Sequence, residues 1–226
     1  MLPMFLAVVD QTIIATALPA IAAATGEVER ASWVVVSYLI AATVAAPIYG
    51  RLGDSFGRRR MMYVALAVFI VASVLCAMSS TILWLTAARV LQGLGGGGLM
   101  TLSQALIGEA IPPRERARYQ GYIATIAVSA NSFGPVAGGY LTEHFGWRSV
   151  FFVNLPLCLL AFAMAWRLPA RNLATAQNFR FDAPGLGFFV AFVVPLLLAL
   201  ELGQRMSAQA LPGVLFLLSV AVVSLL

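Results

Sequence analysis

The sequence predicts an all-α fold, a polytopic bundle of transmembrane helices. Three observations carry this: an apolar composition, a regular spacing of long apolar runs, and an internal repeat three runs long. Hydrophobic residues make up 61 % of the chain and charged residues 10 %, and the mean hydropathy is +0.92. A soluble domain is about half apolar and a quarter charged, so too few polar groups remain here to cover a globule in water. A spanning helix takes roughly 20 mostly apolar residues. The chain of 226 residues therefore has room for about seven or eight of them.

Apolar runs fall at 2–24, 31–50, 61–79, 82–108, 119–141, 149–168, 183–203 and 210–226. The connections are short and hold nearly all the charges. The first run starts at Met1 with no basic flank, which argues against a cleavable signal peptide and for a start inside the first helix. The last run is still apolar at Leu226, so the chain is expected to end before its natural C-terminus. Between the sixth and seventh runs, residues 169–182 are expected to form a cytoplasmic loop.

Arginine placement sets the expected orientation. With the N-terminus inside, the inner loops hold Arg51, Arg58, Arg59, Arg60, Arg114, Arg116, Arg118, Arg167, Arg171 and Arg180. The outer loops hold Arg30, Arg148 and Arg205, a bias of ten against three. A cytoplasmic N-terminus follows. The repeat lies between Gly50–Arg59, after the second run, and Gly139–Arg148, after the fifth. At an offset of 89 residues, Gly50, Leu52, Phe56, Gly57 and Arg59 meet identical residues and Asp54 meets Glu143. The unit is three spans, an odd number, so the two copies run through the membrane in opposite senses. A recurring loop-termination signal is the plainer alternative.

Few polar residues lie inside the runs. Asp10 is in the first. A carboxylate near the bilayer centre costs about 2.5–3.5 kcal/mol on insertion scales and is a functional hypothesis by default. Carboxyl groups taken out of water hold a proton more readily, which suits proton coupling; the alternative is that Asp10 sits near the membrane surface. Arg89 and Gln92 lie in the fourth run. Arginine stays protonated, so Arg89 is expected to tune a nearby acid, or else to be a structural cation bonded to backbone. Counting from the apparent helix ends puts Asp10 and Arg89 at different depths, so their pairing is not predicted. Gly93 and Gly95 to Gly98 follow Arg89 and let neighbouring backbones approach closely. A phosphate-cradling loop is rejected, since no Lys-Ser/Thr follows and no strand precedes. Gly134, Pro135, Gly138 and Gly139 combine a kink with small contact residues, for packing or as a hinge. After the second run, Gly50, Gly53 and Gly57 permit sharp turns, and Asp54, Arg58, Arg59 and Arg60 form either an ionic latch or a solvated basic loop.

The net charge of +5 does not indicate a nucleic-acid partner, because the charges are scattered in short clusters between apolar runs. Cys76 and Cys158 sit inside apolar runs and read as small buried hydrophobes, and His144 has no Cys or His at ligand spacing. There is no Ser–His–Asp set, metal-ligand cluster or nucleotide fingerprint, so neither an enzyme nor a cofactor is expected.

At these residues the chain resembles the major facilitator superfamily. Gly50 to Arg60 is similar to that superfamily's signature loop between helices two and three, and Arg89 to Gly93 to its fourth-helix motif, associated with proton coupling. Ser132 to Gly139 resembles the fifth-helix antiporter motif, with Ala130 where the pattern usually has another glycine. Asp10 to Pro19, Trp147 to Pro156 and Phe181 to Gly185 resemble stretches of the fourteen-helix drug:proton antiporter branch. The resemblance implies a six-helix N-terminal half over 1–168, two linker helices over 183–226 with the second cut short, and a C-terminal half absent from this chain. It implies proton-driven export of small lipophilic or cationic compounds across the plasma (inner) membrane by alternating access. Asp10, Arg89 and Gln92 would form the coupling or substrate site, Gly50 to Arg60 the latch, and Gly134 to Gly139 the hinge. An exporter of another small metabolite, and a non-transporting membrane scaffold, are the alternatives.

Overall fold

The computed structural model describes residues 1–166, 182–204 and 211–223. Most of the expected loop at 169–182 lies outside them, as do Arg167, Arg171, Arg180 and Arg205. The described residues are helical almost throughout: α1 (Leu2–Thr25), α2 (Ser32–Phe56), α3 (Arg58–Ala77), α4 (Ile82–Ala110), α5 (Arg116–Phe145), α6 (Ser149–Phe152), α7 (Asn154–Ala165), α8 (Ala183–Gln204) and α9 (Leu211–Val223). Single 3-10 turns at Val28–Arg30 and Pro113–Glu115 precede α2 and α5. The chain divides into two compact units, Met1–Ala176 and Gln177–Leu226. In the second, α8 and α9 pack against each other.

The ends of the helices follow from their sequence. Gly26, at φ 73°, closes α1 in the left-handed region, donating its N–H to the carbonyl of Ala22, a conformation that suits glycine. The Thr81 hydroxyl caps α4 by accepting from the Trp84 N–H at 3.2 Å. That helix stops at Ala110, just before Pro112 and Pro113, which cannot continue it. Four helical segments are by themselves long and apolar enough to cross a membrane: Leu2–Thr25, Val28–Phe56, Arg58–Ala77 and Ala183–Gly203. α4 and α5 are also long, at 29 and 30 residues, but richer in glycine and polar residues. Outward-facing side chains such as Leu83, Trp84 and Leu159 are large and apolar, as a lipid-facing surface requires.

Two expectations need correction. The expected loop after the second span is a single residue. α2 runs on to Phe56, so Gly50, Gly53 and Asp54 are helical, and Gly57 alone turns the chain, at φ 93°. Gly53 is buried against Leu102 of α4, so its missing side chain serves close approach, not a turn. The sixth span, expected to be continuous, breaks at Val153 between α6 and α7. Pro156 explains the position: its ring opposes the carbonyl four residues back, on Phe152, where α6 ends. Pro135, by contrast, lies inside an unbroken α5.

The repeat is visible in the backbone. Gly57 and Gly146, 89 residues apart, both take positive φ (93° and 80°), and both donate their N–H to the carbonyl four residues back. The main packed pairs are α2 with α4, α3 with α4, and α1 with α5. The offset exchanges the first pair with the third. The α2–α4 contact is nearly backbone on backbone: a side chain at Gly93 would meet the carbonyl of Tyr38, and one at Gly97 the carbonyl of Ala42. Gly95 lies against the backbone of Phe69 on α3, again with no room for a side chain.

These contacts define a stability test. Gly97→Val should destabilise the folded protein by about 1–3 kcal/mol or more, the usual cost of overpacking. Gly139→Ala, with open space around it, should change stability by no more than about 0.5 kcal/mol. Thermal unfolding in detergent reads both.

Candidate functional site

The first unit holds two apolar clusters with a polar layer between them. On α3 and α4, Cys76, Leu85 and Ala88 belong to one cluster and Met62, Phe69, Leu99 and Leu102 to the other. Ser73, Arg89 and Gln92 fall between. On the sixth span Phe151 and Cys158 belong to opposite clusters, and Asn154 lies between them. Asp10 of α1 completes the layer, and all five residues are buried.

Asp10 and Arg89 form a direct ion pair, Nη1 to Oδ2 at 2.6 Å, with each side chain 1 % exposed. Counting from the apparent helix ends kept them apart, but the depth at which they meet is set by how α1 packs alongside α4 and α7. The other carboxylate oxygen, Oδ1, accepts from Gln92 Nε2 at 3.0 Å and from Asn154 Nδ2. Arg89 also donates from Nη1 to Gln92 Oε1 at 2.7 Å and from Nε to the Val34 carbonyl at 3.1 Å. Its guanidinium carbon sits 4.2 Å from the centre of the Tyr38 ring, within cation–π range. Gln92 is fully used. Its Nε2 donates also to Ser73 Oγ at 3.0 Å, and its Oε1 accepts also from the Cys76 thiol at 3.4 Å. Ser73 in turn donates to the Phe69 carbonyl.

The chemistry of this arrangement is that of a compensated buried charge pair. Two ions out of water are tolerated only when geometry is good and the remaining lone pairs and protons are satisfied. Here one charged and two neutral donors converge on a single carboxylate. The ion pair ties α1 to α4, and the Asn154 amide ties the same carboxylate to α7. Among the described residues no group of three or more His, Cys, Asp or Glu side chains is placed to hold a metal ion.

A sequence profile described as Major Facilitator Superfamily matches residues 1–226. The chain belongs to the major facilitator superfamily. Multidrug transporter protein MdtP of Bacillus subtilis (strain 168) is 35 % identical over 205 residues, covering 89 % of this chain and 37 % of MdtP. Efflux pump dotC of Dothistroma septosporum is 36 % identical over 206 residues, covering 89 % of this chain and 35 % of dotC. The chain thus spans little more than a third of the length of these curated relatives. Among solved structures, the inward-open xylose transporter XylE from E. coli superposes with a TM-score of 0.59 at 19 % identity, over 96 % of this chain and 53 % of XylE. The POT family transporter PepTSo gives a TM-score of 0.61 at 14 % identity, over 98 % of this chain and 52 % of PepTSo. At such identities these structures show the fold alone: this is a membrane-embedded bundle of the superfamily type.

Elsewhere in this superfamily chain, Arg58 joins three segments. It pairs with Asp54 on α2 at 2.9 Å and with Glu109 on α4 at 3.3 Å, and it donates to the Ala105 carbonyl. Arg59 instead lies against the rings of Tyr63 and Trp166, at 5.8 and 6.0 Å, and Arg60 is exposed. On α5, Gly134 and Gly138 are buried against Thr12 and Thr16 of α1. The Thr12 hydroxyl donates to the Ala130 carbonyl at 3.2 Å. Pro135 and Gly139 face away and are exposed. The expected hinge thus splits into a packing face and an open face.

Sequence reasoning singled out Asp10, Arg89 and Gln92 one by one, did not predict that they meet, and gave no role to Asn154, Ser73 or Tyr38. Asn154 carried a usable signal, an amide in an apolar run two residues before a proline. Cys76, read as a small buried hydrophobe, is buried and is also a hydrogen-bond donor to Gln92.

The ion pair can be checked by stability. Arg89→Met strands the Asp10 carboxylate and should cost about 3–5 kcal/mol. Adding Asp10→Asn should recover at least half of that loss in a double-mutant cycle, read by thermal unfolding in lipid nanodiscs.

Proposed function

We propose that the chain is the N-terminal portion of a proton-coupled exporter of lipophilic, often cationic compounds, working by alternating access. The observation that carries this reading is the buried Asp10–Arg89 pair with its converging amides, in a superfamily chain whose relatives include proteins named as multidrug transporters and efflux pumps. Asp10 is the proton site and Arg89 the fixed cation paired with it. Gln92 holds both in register. Arg58, with Asp54 and Glu109, is the latch on the cytoplasmic face and stabilises one conformation; Gly53 lets α2 approach α4 closely, Gly57 turns the chain into α3, and Gly50 lies one turn before Asp54 on α2. The open face of α5, with Pro135 and Gly139, is where the second half of the transport unit would move against this one, Gly134 and Gly138 holding α5 to α1.

Residues 1–168 would supply the first six-helix half, 169–182 a cytoplasmic loop, and α8 and α9 the linker helices of the fourteen-helix drug:proton antiporter branch. The arginine bias supports a cytoplasmic N-terminus in the plasma (inner) membrane. Substrate would bind between this half and a C-terminal half supplied by further sequence, since alternating access rocks two halves around one site.

Proteoliposomes holding the full-length gene product test this. Addition of lipophilic cations should drive proton movement, and Asp10→Asn should slow it at least about tenfold, as expected when an essential proton carrier is removed. Arg58→Ala should leave stability within about 1 kcal/mol, since partly exposed ion pairs contribute little, while altering the transport rate. An unchanged pH across a panel of such cations would sink the antiport reading.

A further inference from the structure

The two amides on Asp10 differ. Gln92 has both ends engaged: Oε1 accepts from Arg89 and from the Cys76 thiol, and Nε2 donates to Asp10 and Ser73. Turning it over would set an NH2 group against the guanidinium, so its orientation is locked. Asn154 donates from Nδ2 to Asp10 Oδ1, but its own Oδ1 is buried without a hydrogen-bond partner. Such an unpartnered acceptor is uncommon in a protein interior and calls for an explanation.

We propose that Asn154 is a positioning residue that serves Asp10 in both protonation states, its Nδ2 donating to the carboxylate and its Oδ1, after a half-turn of the amide, accepting the proton of the neutral acid. This rests on the reading of Asp10 as the proton site. A proton arriving from water bonds to one carboxylate oxygen, and the new O–H needs an acceptor. Arg89 has none to offer. The oxygen of Gln92 already takes two donors, and the Ser73 hydroxyl is held between Gln92 and Phe69. The idle oxygen of Asn154 is on the group already touching Asp10. Amide oxygen and nitrogen are nearly alike in size, so rotation about the terminal torsion, which is broad and roughly two-fold, exchanges them without moving the backbone. The turn leaves an unpartnered N–H where there was an unpartnered C=O, so the two costs largely cancel. Asn154 is also the first residue of α7, directly after the break at Val153. The facing of its amide therefore carries the state of Asp10 to a point where the sixth span is already interrupted.

Infrared difference spectra of the full-length protein in lipid, recorded between high and low pH, decide the matter. Acidification should bring up a carboxylic C=O band, absent in Asp10→Asn, at the wavenumber of an acid whose O–H is hydrogen-bonded. Asn154→Leu, similar in volume and without polar atoms, should move that band up to the free-acid position, and Asn154→Ser, which keeps an acceptor oxygen, should move it less. A band unmoved in Asn154→Leu overturns the proposal and leaves Asp10 as the proton site. A midpoint shifted by about tenfold or more in proton concentration, with the band unmoved, would show that Asn154 serves the anion alone, since one bond to a charged group is worth that much. If Asn154→Leu does not fold, the unsubstituted protein suffices: a free-acid band there overturns the proposal. Absence of any Asp10-dependent band overturns both the proposal and the reading beneath it.

Discussion

An ion pair with both partners removed from water is the constraint around which the six-span unit is arranged. Asp10 and Arg89 come from helices far apart in sequence, and neither is tolerable alone in an apolar interior. Once they are paired, their remaining donors and acceptors dictate what surrounds them. Gln92 must bridge the two, one turn along α4 from Arg89. Val34 must offer its carbonyl from α2, Tyr38 its ring one turn further, and Asn154 its amide from the sixth span. Four spans are thereby held to a common depth. The apolar clusters on either side exclude water and so make the pair both costly and strong.

The same layer needs helices that come close, and this is where glycine enters. Side chains between α2 and α4 would push the Val34 carbonyl away from Arg89. With Gly93 and Gly97 at the contact, the two backbones nearly touch and the carbonyl stays within reach. The glycine run that would weaken a helix in water is here a condition for satisfying the arginine. On α5, Gly134 and Gly138 do the equivalent work against Thr12 and Thr16, beside the turn of α1 that carries Asp10.

Much of this was legible before any coordinates. Apolar runs located the spans to within a few residues in most cases, because a bilayer-length apolar segment has few other uses. The offset of 89 residues anticipated the matching turns at Gly57 and Gly146, and the scarcity of polar residues inside the runs singled out Asp10, Arg89 and Gln92. What escaped were the consequences of partner and place. Depth counted from run ends could not say that Asp10 meets Arg89, since that depends on how α1 lies against α4. Gly53 looked like a turn residue because glycine serves turns and close contacts equally, and only its neighbours distinguish the two. Pro135 and Pro156 look alike in sequence, yet α5 passes through one and the sixth span breaks before the other. Asn154 was marked as an amide in an apolar stretch, but nothing in the sequence said that it meets Asp10.

The connection between α2 and α3 is one glycine long, and that shortness has a mechanical meaning. A one-residue link has no slack. Neither helix can slide past the other along the bilayer normal, and any load on the end of one reaches the other undiminished. The pair behaves as a bent rod with a fixed elbow. For the experimenter it is also the wrong place to work: a protease finds no foothold there, and an inserted tag or fluorophore would have to prise apart two helices before it found room of its own.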